Sequence, residues 1–334
     1  MRFAMYDRSN AMSLVACTLA AMLITCLALP AGAQIPKPSQ VGQIVVGVPA
    51  GSNIDVTARI LAENVSKASG QTYVVLNRPG AGGTIAAEMV ARSPADGMTL
   101  FVSPISTMVT EPQVNRQNVR YDPFKDFTPI SIVATVDLAL AVGPALRVGS
   151  FADYLTAVRT DETKGFFTSP GVNGLPHFLG MLIAKQSGAK FVHVPYGGPG
   201  PAVQAVVGGH VPALIVGYSD LIALHRGGTL RILATSGTSR HEMTPEVPTF
   251  KELGYPFEVS VWYGVFAPGG TPPAVIERLN NLIVDAARSK QLSDYLLNNG
   301  HRMVGSTAQA LAEAHRNDFK RWGDFIRSEA ITVK

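Results

Sequence analysis

Cysteine is nearly absent: the 334-residue chain has two, Cys17 and Cys26, both within its first 33 residues. Nothing beyond them can form a disulfide framework, a zinc ribbon or a thiol nucleophile. Charge is also thin, at 16% of residues against roughly a quarter in an average soluble domain. The net charge is only +4, and Lys320-Arg321 is the sole pair of adjacent basic residues. Phosphate neutralisation needs clustered cations, so nucleic acid is excluded as a partner. There is no P-loop. The seven histidines, His177, His193, His210, His225, His241, His301 and His315, lack the i, i+4 spacing that faces two imidazoles at one metal, and neither a metal nor a cofactor is expected. With 46% hydrophobic residues, enough apolar surface remains for one or two cores of ordinary size.

One strongly apolar, uncharged run, Ala11 to Leu29, follows Arg2 and Arg8 and precedes Pro30 and the small triplet Ala31-Gly32-Ala33. This is the pattern of an export signal over residues 1–33 with cleavage before Gln34. An uncleaved anchor would fit the length, but not the proline and the A-x-A triplet. A lipoprotein reading of Leu14-Val15-Ala16-Cys17 fails because the apolar run follows that cysteine instead of preceding it. The compartment expected is the bacterial periplasm, reached through a cleaved signal peptide.

Short β-rich runs alternate with amphipathic segments, which argues for an α/β fold with parallel sheets flanked by helices. Ile44–Val48, Tyr73–Leu76 and Thr99–Val102 read as strands. A helix with the stripe Ile54, Ala58, Leu61, Val65 ends at Gly70, and a second, capped by Thr84, follows the loop Arg78–Gly83. A second α/β set runs from Phe166 to Ala234. It is bracketed by two long apolar segments, Ile130–Val142 and Phe257–Phe266, which read as two crossings between lobes. The expected organisation is a signal peptide over 1–33, a discontinuous first lobe of 34–136 plus 259–334, and a second lobe of 137–258. A helix after Thr271-Pro272-Pro273, with a threonine cap, and a last helix after Ser306-Thr307, with the stripe Leu311, Phe319, Trp322, Ile326, are expected to pack on the first lobe.

Catalytic spacings are not met. Gly217-Tyr218-Ser219-Asp220-Leu221 lacks the second glycine of an esterase elbow. His241-Glu242 runs into Pro245 where a zinc protease needs histidine. Gly80-Ala81-Gly82-Gly83 imitates a dinucleotide loop but has Ile85 at the third glycine position. What remains is four small-residue strand-to-helix loops: Pro49–Asp55 and Ser103–Thr107 in the first lobe, Ser169–Gly174 and Tyr196–Gly200 in the second. In parallel sheets such loops gather at the carboxyl ends of strands, where ligands bind. Their N–H groups lie at helix N-termini, which carry about half a positive charge and suit a carboxylate.

The set Gly51-Ser52-Asn53-Ile54-Asp55, Asn77-Arg78-Pro79-Gly80-Ala81-Gly82-Gly83, Asp96-Gly97-Met98-Thr99-Leu100, Tyr121-Asp122-Pro123, His193-Val194-Pro195-Tyr196, Val247-Pro248-Thr249 and Trp262-Tyr263-Gly264-Val265-Phe266-Ala267-Pro268 resembles the Bordetella uptake gene (Bug) family, extracytoplasmic solute receptors of tripartite tricarboxylate transporters. The resemblance runs over nearly all of residues 40 to 330, in order. It implies a type II periplasmic-binding-protein fold, two lobes joined by two crossover strands, with no catalysis and a small carboxylate held in the interlobe cleft. The residues expected to line that cleft are Pro49, Ala50, Gly51, Ser52, Asn53, Asp55, Ser106, Thr107, Gly171, Val172, Asn173, Gly174, His177, Tyr196 and Gly198.

The chain departs from the family pattern at Gly47, Val48, Ser52 and Pro212. Val172 and Leu175, with Pro176 beside them and Pro104 and Ile105 opposite, suggest a partly apolar cleft and an aromatic or dicarboxylic solute. The partners implied are membrane permease subunits, with the receptor itself a monomer. A co-receptor for a sensor kinase would use the same fold, and a hydrolase built on Ser219 and a distant histidine is the reading from another class. Mass spectrometry of a periplasmic extract should find Gln34, or its cyclised form, at the N-terminus; retention of the leader in the membrane fraction would contradict the cleavage.

Overall fold

β-branched runs fill the strands and helical stripes flank them, as the alternation requires. The computed structural model describes residues 41–331; the expected signal peptide, its two cysteines and the cleavage site at Gln34 lie outside the described residues. β1 (Gly42–Val46) lies between β2 (Tyr73–Asn77) and β3 (Thr99–Pro104), parallel to both, with Ile44, Val45 and Val46 fully buried. α1 (Asn53–Ser69) starts at Ser52, whose Oγ accepts the Asp55 N–H at 3.4 Å, and ends at Gly70 in the left-handed conformation. Its Ile54, Ala58, Leu61 and Val65 are buried with Ile44 and Val46 in one apolar cluster. α2 (Thr84–Ala91) follows the glycine loop. The cap of α2 is Gly83 (φ 91°), not Thr84, because the left-handed turn places threonine one residue inside the helix.

β4 (Phe127–Val142) is sixteen residues long and belongs to two sheet sections. From Phe127 to Asp137 it pairs antiparallel with β9 (Ser260–Pro268), which also pairs with β3. From Leu138 to Val142 it pairs with β7 (Ala213–Gly217) and β8 (Arg231–Thr235). β7 continues to β5 (Phe166–Ser169) and then β6 (Val192–Pro195), all parallel. β10 (Arg302–Met303) adds to β4 on the first section. The order β2-β1-β3-β9-β4-β7-β5-β6 is thus a mixed sheet in two sections, and the chain is an α/β, two-lobed fold of the binding-protein kind.

The second section is covered by α3 (Phe151–Thr160), α4 (Leu175–Ser187), α5 (Pro199–Val207) and the short α6 (Ile222–Arg226). α7 (Pro273–Ala287), α8 (Lys290–Asn298) and α9 (Ala308–Ser328) complete the chain. Two details differ from the sequence reading. Thr271 does not cap α7: its hydroxyl donates to the Pro268 carbonyl at 2.7 Å, and Pro272 takes the cap position. α9 does not pack on the first section alone. Its Trp322 ring lies 5.8 Å from Phe178 of α4, and Lys185 of α4 pairs with Glu329 just beyond α9 at 2.7 Å. Among the described residues no helix is long and apolar enough to cross a membrane.

The two sections are tied at the point where β4 changes partners. Asp137, 4% exposed, accepts from Ser260 Oγ at 2.7 Å and faces Arg302 Nε at 3.4 Å. Arg302 also donates to the carbonyls of Ser239 and Arg240. Gly237 presses on the same carboxylate, where a Cβ would overlap it. Gly237→Ala is therefore expected to lower unfolding stability by about 2 kcal/mol or more, the scale of an overpacked core site. Urea denaturation reads this directly, and an unchanged midpoint would refute the contact.

Candidate functional site

Both sheet sections present their carboxyl edges to the same stretch of backbone. In the first, β3 ends at Pro104, whose neighbour on β9 is Tyr263, and Tyr263 in turn pairs with Ala134 on β4. In the second, β7 ends at Gly217, which faces Leu138. The loops leaving β1, β2 and β3 and those leaving β5, β6 and β7 therefore flank residues 134–138 from opposite sides. This is the edge at which α/β sheets bind ligands.

The first loop is braced from inside. Asp55, 1% exposed, accepts from the Gly51 N–H at 2.8 Å, Asn77 Nδ2 at 2.8 Å and Arg59 Nε at 3.0 Å. Burial opposes its charge, but Arg59, Gly51 and Asn77 outweigh burial and hold the carboxyl below its ordinary range. Ser52 Oγ donates to the Pro49 carbonyl at 3.0 Å, so its hydroxyl also serves the turn. Pro49, Ala50 and Gly51 are exposed. Asn53 is turned by Tyr295, whose hydroxyl donates to Asn53 Oδ1 at 2.9 Å. The Asn53 amide N–H groups have no partner among the described residues, and the first N–H groups of α1 have no acceptor inside the helix.

The glycine loop after β2 supports this edge. Gly80, Ala81, Gly82 and Gly83 all have positive φ, and a Cβ on Gly83 would lie 2.6 Å from Thr107 Oγ1. Thr107 is 1% exposed, donates to the Gly82 carbonyl at 2.8 Å, and gives its own carbonyl to Tyr121. Ser106, half-buried beside it, has no hydroxyl partner among the described residues.

In the second section the loop after β5 hangs on a buried hydroxyl. Ser169 Oγ donates to the Gly171 carbonyl at 2.8 Å and meets His193 Nε2 at 2.7 Å. His193 stacks on His177 with ring centroids 4.0 Å apart, and His177 Nδ1 accepts the Asn173 N–H at 3.2 Å. Asn173 (φ 61°) is left-handed there, with its side-chain amide unpartnered among the described residues. Gly174 and Gly198 start α4 and α5 with no side-chain cap. Tyr196 binds the loop through its N–H to the Ser169 carbonyl at 3.2 Å, and its hydroxyl has no partner among the described residues. Burial, with His177 adding to it, pushes the His193 imidazole down to about 4. A hydroxyl bonded to an imidazole resembles a nucleophile and its base, but Ser169 is 1% exposed and is tied to Gly171.

The expectation of a partly apolar cleft loses two of its five residues. Leu175 (2% exposed) and Ile105 (1%) lie in the main apolar core, because the first turns of their helices point them inward. Val172, at 60%, is exposed. Sequence reasoning gave no role to Ser169, Tyr263, Tyr295 or Asp220. Of these, Asp220 was signalled by its place in a strand-to-helix turn after Ala213–Val216. A cavity of about 420 Å³ opens behind His177 and His193, between Phe167, Met181 and Phe191. Among the described residues no three metal-ligating side chains converge.

A family model described as "Tripartite tricarboxylate transporter family receptor" matches residues 57–331. A protein of Pseudomonas sp. strain P51 described as "UPF0065 protein in tcbD-tcbE intergenic region" is 35% identical over 295 residues, covering 86% of each chain. Protein BugT of Bordetella pertussis is 33% identical over 298 residues, covering 89% of this chain and 91% of its own. Among solved structures, Rpa4515 of R. palustris with adipate superposes with a TM-score of 0.78 at 29% identity, covering 89% of this chain and 99% of that one. The periplasmic binding protein BugD gives 0.76 at 25%, covering 89% and 100%. MatC of Rhodopseudomonas palustris with bound malate gives 0.74 at 27%, covering 86% and 99%.

The His193 imidazole gives a pH test of the loop. Its ordinary value is 6.5 and its folded value about 4. Above pH 6.5 neither state is protonated there and His193 takes nothing from stability. As pH falls from 6.5 to 4 the unfolded chain takes up the proton first, so stability declines across that window. His193→Gln keeps an amide for Ser169 and removes the proton, so its melting temperature should fall less steeply than wild type across that window. Parallel curves would contradict the burial of His193.

Proposed function

The chain belongs to the tripartite tricarboxylate transporter receptor family, and we propose that it is a periplasmic receptor that captures a small carboxylate between its lobes and delivers it to the membrane permease of such a transporter. In this reading export removes residues 1–33, the receptor works as a monomer, and it performs no chemistry. The first lobe is residues 34–136 plus 259–334, and the second is 137–258, hinged where β4 passes from β9 to β7. Hinged closure around a ligand is the ordinary way such lobes act.

What supports this reading is that the carboxyl ends of β3 and β7 face the same stretch of backbone, residues 134–138, from opposite sides, with side-chain donors that have no partner among the described residues in the loops on both sides. Asn53 and Ser106 come from one side, and Asn173 and Tyr196 from the other, each beside helix-start N–H groups. Pro49, Ala50, Gly51, Ser52, Gly171, Val172, Gly174 and Gly198 supply the backbone surface, while Asp55, Thr107 and His177 hold the loops in shape. The four loops contain no Arg or Lys, so the carboxylate is held by N–H groups, amides and hydroxyls. Relatives that hold adipate and malate support a carboxylic acid as the solute.

Calorimetry and thermal melting against a panel of small carboxylic acids test the proposal. A ligand at one hundred times its dissociation constant should stabilise the protein by about 2.7 kcal/mol, and Asn173→Ala should weaken that ligand by about tenfold, the scale of one hydrogen bond to a charged group. Raising salt from about 0.05 to 0.5 M should change affinity little. Absence of any stabilising acid would refute the carboxylate reading, and a hundredfold loss in salt would transfer the anion to a cation such as the exposed Arg78.

A further inference from the structure

The carboxyl end of β7 carries a carboxylate that neither the fold nor the loops account for. Gly217 ends the strand opposite Leu138, and the turn Tyr218–Asp220 follows. Asp220 folds back over the strand end, so that a Cβ on Gly217 would lie 3.2 Å from Asp220 Oδ2. The turn is fixed from behind: the buried Tyr218 shares a hydrogen bond with Thr244 Oγ1 at 2.8 Å, and Gly300 fits against Tyr218, Ser219 and Ile222. In front stands Tyr263, the β9 residue between Pro104 and Ala134. Burial first, and then the Asp220 charge, push its phenol up, while its hydroxyl is already bonded to His301 Nε2 at 3.1 Å. Asp220 is thus a second-section residue beside a first-section side chain, at the edge where the loops converge.

Its peculiarity is the missing partner. Asp55 has three donors, Asp137 has Ser260 and Arg302, and Asp318 accepts the Trp262 indole N–H at 2.9 Å. Asp220, half-buried, makes no side-chain hydrogen bond or ion pair among the described residues, and burial lifts its carboxyl to about 6. A partly desolvated carboxylate without a donor costs free energy, and such groups are enriched at functional sites.

We propose that Asp220 is a ligand-reading residue that receives an ammonium group of the bound solute, so that the solute is a zwitterion with its carboxylate on the loop amides and its ammonium on Asp220. This rests on the carboxylate-receptor reading and narrows it. A second carboxylate at this place would set two negative groups together with no Arg or Lys in the four loops, and like charges that close disfavour each other. An ammonium supplies both the opposite charge and the donors that Asp220 lacks.

Matched acids with and without an amino group decide it: glutamate against glutarate, phenylalanine against 3-phenylpropionate, 5-aminopentanoate against pentanoate. In the wild type the amino member of at least one pair should bind at least tenfold more tightly, and Asp220→Asn should erase most of that preference. If the amino-free member of every pair binds as tightly or more tightly, or if Asp220→Asn keeps the preference, Asp220 does not read the solute, while the carboxylate reading stands. If no acid of either kind binds, both fall. A second readout needs no ligand: without an internal partner to lose, Asp220→Asn should melt at or above the wild-type temperature. A lower melting temperature, or failure to fold, would mean that Asp220 has a structural partner and would overturn the proposal.

Discussion

Everything about the binding edge depends on one strand being shared by two sheet sections. β4 leaves β9 after Asp137 and joins β7 at Leu138, so a single residue step separates the frame of one lobe from that of the other. A buried carboxylate at that step, held by Ser260 from β9 and by Arg302, fixes how the sections meet. The returning chain is laid alongside: Ser236 receives the Leu138 N–H at 2.9 Å on its hydroxyl and donates its own N–H to the Leu138 carbonyl at 2.8 Å, while Val259 donates to Ser236 at 3.0 Å. Removing one partner of a buried charged pair leaves the other uncompensated, so the junction defines both the geometry and its tolerance.

On that frame the loops are stiffened by their own polar groups. Asp55, Thr107, Ser169 and His177 direct their hydrogen bonds into the backbone of the loops they belong to or pack against, not outward. That arrangement fixes the directions of the remaining N–H groups and free side chains before a solute arrives, which lowers the ordering cost of binding. In the proposed reading it also lets a carboxylate be held without a cation: helix starts and oriented amides supply positive potential, and ordered loops keep it aimed.

Much of this was legible in the sequence because it rests on local signals. Gly70 ends α1 in the left-handed conformation as expected, and of the two long apolar runs Ile130–Val142 lies within β4, which passes between the sections, while Phe257–Phe266 runs into β9 along the first section. What was not legible depends on tertiary direction. Leu175 and Ile105 stand in loop-like sequence next to the cleft, yet the first turn of each helix faces inward and buries them. Trp322 packs on Phe178 across more than a hundred residues of chain, a contact that no helical stripe announces. Thr271 had a proline after it that could take the cap position, and its hydroxyl found a carbonyl instead. Asp220 sat in a motif rejected for catalysis; its strand-to-helix turn was the one signal the sequence carried, and the absence of a partner among the described residues added the rest.

The central claim is that the two lobes close on a carboxylate at the shared edge. The described chain has no cysteine, so two introduced thiols, Arg78→Cys on the first lobe and Gln204→Cys on the second, both at exposed positions, can carry spin labels without competition. Electron–electron distance measurements should show one separation in the unliganded protein and a shorter one when the acid that most stabilises it is added at saturation. An unchanged distance at a concentration where calorimetry shows the acid fully bound would contradict the account.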